Sequence, residues 1–167
     1  GWARTALTSF PGGNASRLRT PLILVPMIPN SSHTVDLAVV GAHLRGMPLN
    51  HELTERGAVF LRECQTAPCY KLFALPGTTP PKPGLLRVHD GEGSAIVVEV
   101  CRLEVSAFGS FVAAIPAPMG IGVARLDDGT EVKGFIAEPL ALDGALDITA
   151  FGGWRSYLAS LAAAQDA

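Results

Sequence analysis

Apolar and polar positions change period several times along the chain, and each change marks an element. Residues 36–40 form a largely apolar, partly β-branched run that suits a strand covered on both faces. Gly41 and Gly46 then bracket a loop that can take backbone angles closed to most residues, and Pro48 with Asn50-His51-Glu52-Leu53 opens a short helix, expected over 49–56, that ends near Gly57. Positions 58–61 and 70–75 read as strands, the second alternating well enough to have one wet face. A loop rich in Pro and Gly fills 76–84, a short strand 85–88 and a turn 89–93. The longest β run, 95–103, is expected to lie centrally. Val105, Phe108, Phe111, Val112 and Ile115 recur at helical spacing, which predicts a helix over 104–114 with one buried stripe. Asp127-Asp128-Gly129-Thr130 between 123–126 and 131–136 is a hairpin signal, because Asp-Gly supplies the positive φ angles of tight β turns. Trp154, Tyr157, Leu158 and Leu161 predict a terminal helix that frays into a tail at 162–167.

About six strands with hairpins and two or three interspersed helices define an α+β domain around a mixed, mostly antiparallel sheet. Residues 1–34 carry too many prolines for regular structure and hold one apolar island, Leu22-Ile23-Leu24-Val25; they read as a linker or extended N-terminal arm, with the domain spanning 35–161. A chain of 167 residues, about half of them apolar, has room for one full core. The formal charge of −2 argues against nucleic acid or an anionic membrane as partner, so any anion site must be local. Apolar runs are too short to span a bilayer, no signal peptide stands at the start, and a cytoplasmic protein is expected. Cys64, Cys69 and Cys101 lack zinc or disulfide spacing and read as small buried thiols; Asn14-Ala15-Ser16 fits a glycosylation sequon that carries no weight here.

Chemistry concentrates after the first strand. A loop leaving a strand and entering a helix N-terminus exposes backbone N–H groups to which the helix dipole adds positive charge, so Gly41, Ala42, His43 and Leu44 form a candidate cradle for a small carboxylate. His43 at its tip titrates in the range where a proton can pass to a bound anion; alternatively its ring merely hydrogen-bonds the loop. A shared metal on His43 and His51 lacks an acidic cluster, and no metal is expected. Glu138, before Pro139, could orient His43 or act as an acid, or simply stand in water. Tyr70, Lys71, Arg125 and Arg155 could each neutralise a carboxylate, Arg155 foremost. No Gly-x-Ser-x-Gly elbow or complete hydrolytic set is present.

The string Val40-Gly41-Ala42-His43 with Asn50-His51 resembles the strand-loop-helix signature of the γ-glutamylcyclotransferase-like fold. More narrowly, Gly41-Ala42-His43-Leu44, then Gly46-Met47-Pro48-Leu49-Asn50, with Asp147-Ile148-Thr149-Ala150-Phe151-Gly152-Gly153-Trp154-Arg155, resembles the C-terminal domain family of allophanate hydrolase over roughly 35–158. The resemblance implies a sheet curled into a small barrel with the ligand cavity beside the first loop. It also implies departures from the cyclotransferases: the loop's tyrosine and serine are replaced by Val40 and Ala42, and the stretch 108–113 lacks that family's catalytic glutamate. In allophanate hydrolase an amidase domain, whose serine and lysine triad is absent here, yields N-carboxycarbamate, which the C-terminal domain is thought to decarboxylate in nitrogen release from urea or s-triazines. The implied site needs a cradle for one carboxylate, a cation for the other and His43 as general acid, without metal or organic cofactor. The expected partners are that small dicarboxylate, the amidase domain and, in a homodimer, a second copy. A non-catalytic assembly module for the amidase is the competing reading, and a cyclotransferase releasing 5-oxoproline a third.

Overall fold

In the computed structural model the described residues are 33–165. The arm at 1–34, its apolar island and the sequon therefore lie almost wholly outside them. Strand β1 (Thr34–Val39) is fully buried from Leu37 onward and sits in the middle of a five-stranded sheet. It pairs antiparallel with β5 (Val97–Glu104) on one side and parallel with β7 (Glu131–Ala137) on the other. Strand β2 (Val59–Gln65) lies outside β5, and β6 (Met119–Arg125) outside β7, giving the order β2-β5-β1-β7-β6. A second sheet holds β3 (Tyr70–Ala74) between β4 (Pro83–Arg87) and the two-residue β8 (Leu146–Asp147). The helices are α1 (His51–Thr54), α2 (Val105–Ala113) and α3 (Trp154–Gln165), joined by 3₁₀ turns at Pro139–Leu142 and Thr149–Phe151.

The α+β reading with a mixed sheet holds, as does the internal place of β5. The implied barrel does not close. Its would-be seam joins the ends of β2 and β6 through one bridge, Thr66 to Leu126, backed by Ala67 N–H to Arg125 O and Asp127 N–H to Gln65 O. Thr66 is fully buried there, and its hydroxyl accepts the Ile96 N–H at 3.0 Å and donates to Ala67 O.

Between the sheets and helices lies one apolar cluster that includes Leu37, Leu72, Ile96, Val98 and Leu103, each at most 1% exposed. Burying side chains of this size contributes roughly 1.5–3 kcal/mol apiece. The hairpin turn is as expected: Gly129 has φ 83°, and Asp128 Oδ1 accepts the Thr130 N–H at 2.9 Å and its hydroxyl at 2.6 Å. Those bonds and Arg62 hold the Asp128 carboxyl down to about 2.

Three local expectations change. The stripe on α2 is narrower than its periodicity suggests, since only Phe111 is fully buried and Val105 is half exposed. Helix α3 continues through Gln165, so 162–164 lie within it. Gly46 has the positive φ anticipated for the loop, at 76°, but Gly41 does not; it is needed for space, because a Cβ there would lie 2.2 Å from Pro83 Cδ. Gly41→Ala should thus lower stability by about 1–3 kcal/mol through overpacking. Gly109→Ala, on the open face of α2 with nothing within 4 Å, should raise it by about 0.5–1 kcal/mol. Urea denaturation of both variants checks the opposite signs.

Candidate functional site

The loop after β1 turns back on itself through Leu44 N–H to Gly41 O and Leu49 N–H to Ala42 O, 2.9 and 2.8 Å. Asn50 Nδ2 donates to His43 O at 2.9 Å, and His43 Nε2 stands 2.8 Å from Glu52 Oε2. Two residues at the start of α1, the N-cap Asn50 and Glu52, therefore fix both the backbone and the ring of His43. The ring is sandwiched as well: it stacks on Phe135 at 5.1 Å and meets the edge of Phe111 at 5.2 Å.

Gly41, Ala42 and His43 line a cavity of about 100 Å³, with Glu52, Lys82, Pro83, Phe111, Met119 and Phe135 among its other walls. That exceeds the roughly 30 Å³ share of one liquid water and falls well short of the roughly 300 Å³ where drug-sized sites begin, so it suits a small ligand. A broader surface depression passes Asp36 and Arg102, but those two already pair bidentately at 2.7 and 2.8 Å. The smaller cavity is the chemically poised one. Its surface is mainly apolar, with His43, Glu52 and Lys82 as the ionisable groups among the described lining residues.

Burial pushes the His43 imidazole below the ordinary histidine range; Glu52 opposes this by hydrogen bond and charge, while Lys82 and His51 depress it further. The environment is apolar and cationic on one side, anionic on the other. Lys82 is presented by a folded loop: its amide N–H donates to Thr78 Oγ1 at 3.0 Å, and its carbonyl accepts the Leu75 N–H at 3.0 Å.

The loop amides are only partly available. The Arg45 N–H donates to Glu99 Oε2 at 2.8 Å, and the Leu44 N–H is used within the turn. Among the described residues, the hydrogen bonds leave the amides of Gly41, Ala42 and His43 without an acceptor. Helix α1, a single turn, adds little dipole. Leu44 is 2% exposed and belongs to the core.

The remaining candidate residues lie elsewhere. Tyr70 is fully buried, its hydroxyl accepting the Arg125 N–H at 2.9 Å and reaching Val123 O at 3.5 Å. Lys71 lies on β3 near Asp147, whose carboxyl, despite the opposing effect of burial, is held below its usual range by Thr149 and by Lys71. Glu138 is exposed at the 3₁₀ turn beginning at Pro139. Arg155 Nη2 donates to Glu99 Oε1 at 2.9 Å and to Arg45 O at 2.8 Å, and it does not line the cavity. Thus Glu52, not Glu138, is paired with His43, and Lys82, not Arg155, lines the cavity. The sequence signal for Glu52 was its place two residues after Asn50; Lys82 had none beyond being a lone cation in a proline loop.

An open α+β sheet, with a loop-borne histidine facing a small cavity beside its central strand, defines the class. The chain matches the allophanate hydrolase C-terminal domain over residues 35–159, and it belongs to that family. It is 44% identical over 133 residues to urea amidolyase of Saccharomyces cerevisiae, covering 78% of this chain and 7% of that protein. The structure of Kluyveromyces lactis allophanate hydrolase superposes with a TM-score of 0.73 at 46% identity, covering 76% of this chain and 21% of that one. A uropathogenic E. coli-specific protein, c4763, gives 0.70 at 35% identity, with 77% of this chain and 98% of that one covered. The chain therefore spans a small fraction of the urea amidolyase it matches and nearly all of the E. coli protein.

Cutting the Glu99 tether should loosen the loop without emptying the core. Glu99→Ala removes an acceptor of three donors whose arginines can still reach water, so a loss of about 1–3 kcal/mol is expected. Thermal melts give the stability, and hydrogen exchange at residues 41–46 should rise selectively.

Proposed function

We propose that this domain decarboxylates N-carboxycarbamate released by an amidase domain, with His43 as general acid. The observation that carries this reading is a largely buried imidazole, 14% exposed and held by Glu52, on the wall of a small apolar cavity that also contains Lys82. One carboxylate of the substrate lies against the amides of Gly41 to His43 and the ammonium of Lys82. The other, the leaving one, faces the phenyl rings of Phe111 and Phe135.

Protonated His43 gives its proton to the central nitrogen. The C–N bond breaks with its electron pair moving to nitrogen, CO₂ departs and carbamate remains; one more proton converts that carbamate to ammonia and a second CO₂. An apolar wall disfavours the charge of a carboxylate more than the transition state in which that charge is being lost to neutral CO₂, which assists this step.

A second reading has its own observation. Edge strand β2 exposes Val59 at 60%, Phe60 at 38% and Leu61 at 40%, which favours an assembly role beside the amidase domain. A monomer by light scattering that still accelerates decarboxylation would exclude assembly as the sole role; an inert dimer would favour it.

For the enzyme reading, His43→Ala should abolish CO₂ release from N-carboxycarbamate supplied by a separate amidase, measured above a control without this domain, while the thermal transition persists. Lys82→Ala should raise KM by about 10- to 100-fold, the scale of one lost charge-assisted bond. Unchanged turnover in His43→Ala would exclude the catalytic role.

A further inference from the structure

The carboxylate beside His43 poses an electrostatic problem that the reading above leaves open. A dianionic guest must enter a cavity whose wall already bears Glu52, with Lys82 as the one permanent cation among the described lining residues. Two further negative charges beside an unprotonated imidazole would leave the site strongly anionic. A proton on His43 relieves that imbalance.

Geometry decides which ring nitrogen can serve the guest. Nε2 is committed to Glu52 Oε2 at 2.8 Å, and the stacking of Phe135 with the edge contact of Phe111 limits rotation of the ring. The other nitrogen, Nδ1, has no hydrogen-bond partner among the described residues. Resting on the decarboxylase reading, we propose that Glu52 is a positioning residue: by accepting the Nε2–H of His43 it presents Nδ1 to the bound dianion and makes ligand binding draw a proton onto the ring.

The groups around His43 are consistent with this. Glu52 and His51 approach from α1 and Lys82 from the loop before β4, while α2 and β7 contribute the uncharged Phe111 and Phe135. Arg56 binds the Glu52 carbonyl at 2.7 Å and lies over the Phe111 ring at 5.8 Å. Arg45 and Glu99, which border His43 on the loop's other side, are bonded to each other. The Glu52 carboxylate is thus the anion that supports protonation, against burial and two nearby cationic or titratable groups. A Gln in its place could still accept the hydrogen bond but would withdraw that support.

Malonate, a stable dicarboxylate of similar span, serves as the probe. Calorimetric titration at pH 7.5 in two buffers of different ionisation enthalpy measures protons taken up on binding. The wild-type chain should take up most of one proton, Glu52→Gln less than half as much, and Glu52→Asp, which keeps the charge, most of the wild-type value. In kinetics, the fall of kcat/KM with rising pH should move down by about 1–2 pH units in Glu52→Gln, and the fall of kcat should lie at higher pH than that of kcat/KM in wild type. A purely structural Glu52 would alter stability but not these profiles. Equal proton uptake and an unshifted profile in Glu52→Gln, or wild-type binding with no proton uptake, would overturn the proposal while leaving His43 catalysis standing. Turnover surviving in His43→Ala, or no malonate binding at all, would instead bring down the reading on which it rests.

Discussion

The loop that carries His43 keeps its shape because of a carboxylate in the core. Glu99 is 2% exposed on β5 and accepts the Arg45 N–H, the Arg155 guanidinium and, at a longer 3.4 Å, Arg45 Nε. A buried charge left unpaired is costly, so the fold must keep those donors where they are. The Arg45 guanidinium also rests 3.5 Å above the Phe60 ring, and Arg155 reaches across to the Arg45 carbonyl. Loop, central sheet and the start of α3 are thereby joined at one point, although their residues lie more than fifty positions apart. A strand-to-loop turn of this type does attract a carboxylate through its amides; at Arg45 that carboxylate is the protein's own.

This arrangement explains which parts of the fold were legible in the sequence. The hairpin around Gly129 and the long β5 run depend on local periodicity and turn chemistry, and both stand where the pattern put them. The parallel pairing of β1 with β7, the two-residue β8 and the incomplete closure at Thr66 depend on contacts between distant segments, about which periodicity is silent. The same division runs through the candidate site. His43 could be singled out because it shares one short string with its supporting turn. In sequence Glu52 is only a helix residue, because its pairing depends on how α1 folds back, and Arg155 looks available, because nothing in its neighbourhood announces Glu99.

The loop's two glycines teach a related point. Both mark an interruption between strand and helix, yet they act differently: Gly46 supplies a left-handed conformation, and Gly41 makes room for the ring of Pro83 at the start of β4. Pro83 is itself a wall of the cavity, next to Lys82. The absence of a side chain at 41 therefore brings the small sheet against the loop and places a cation opposite the imidazole.

Phe111 shows why the lack of an acid on α2 matters chemically. Helix α2, which bears no carboxylate, presents a phenyl ring, 2% exposed, against both His43 and Phe135 at 5.2 and 5.6 Å. No acid on α2 can move a proton there. In the proposed reaction the proton would come from the imidazole that Glu52 holds, and the wall that faces them is apolar. Such a wall offers no stabilisation to an anionic tetrahedral intermediate, but it does suit a reaction in which a carboxylate loses its charge as it leaves. A ring on this wall, with no carboxylate on α2 beside it, is thus the feature that the proposed release of CO₂ would use.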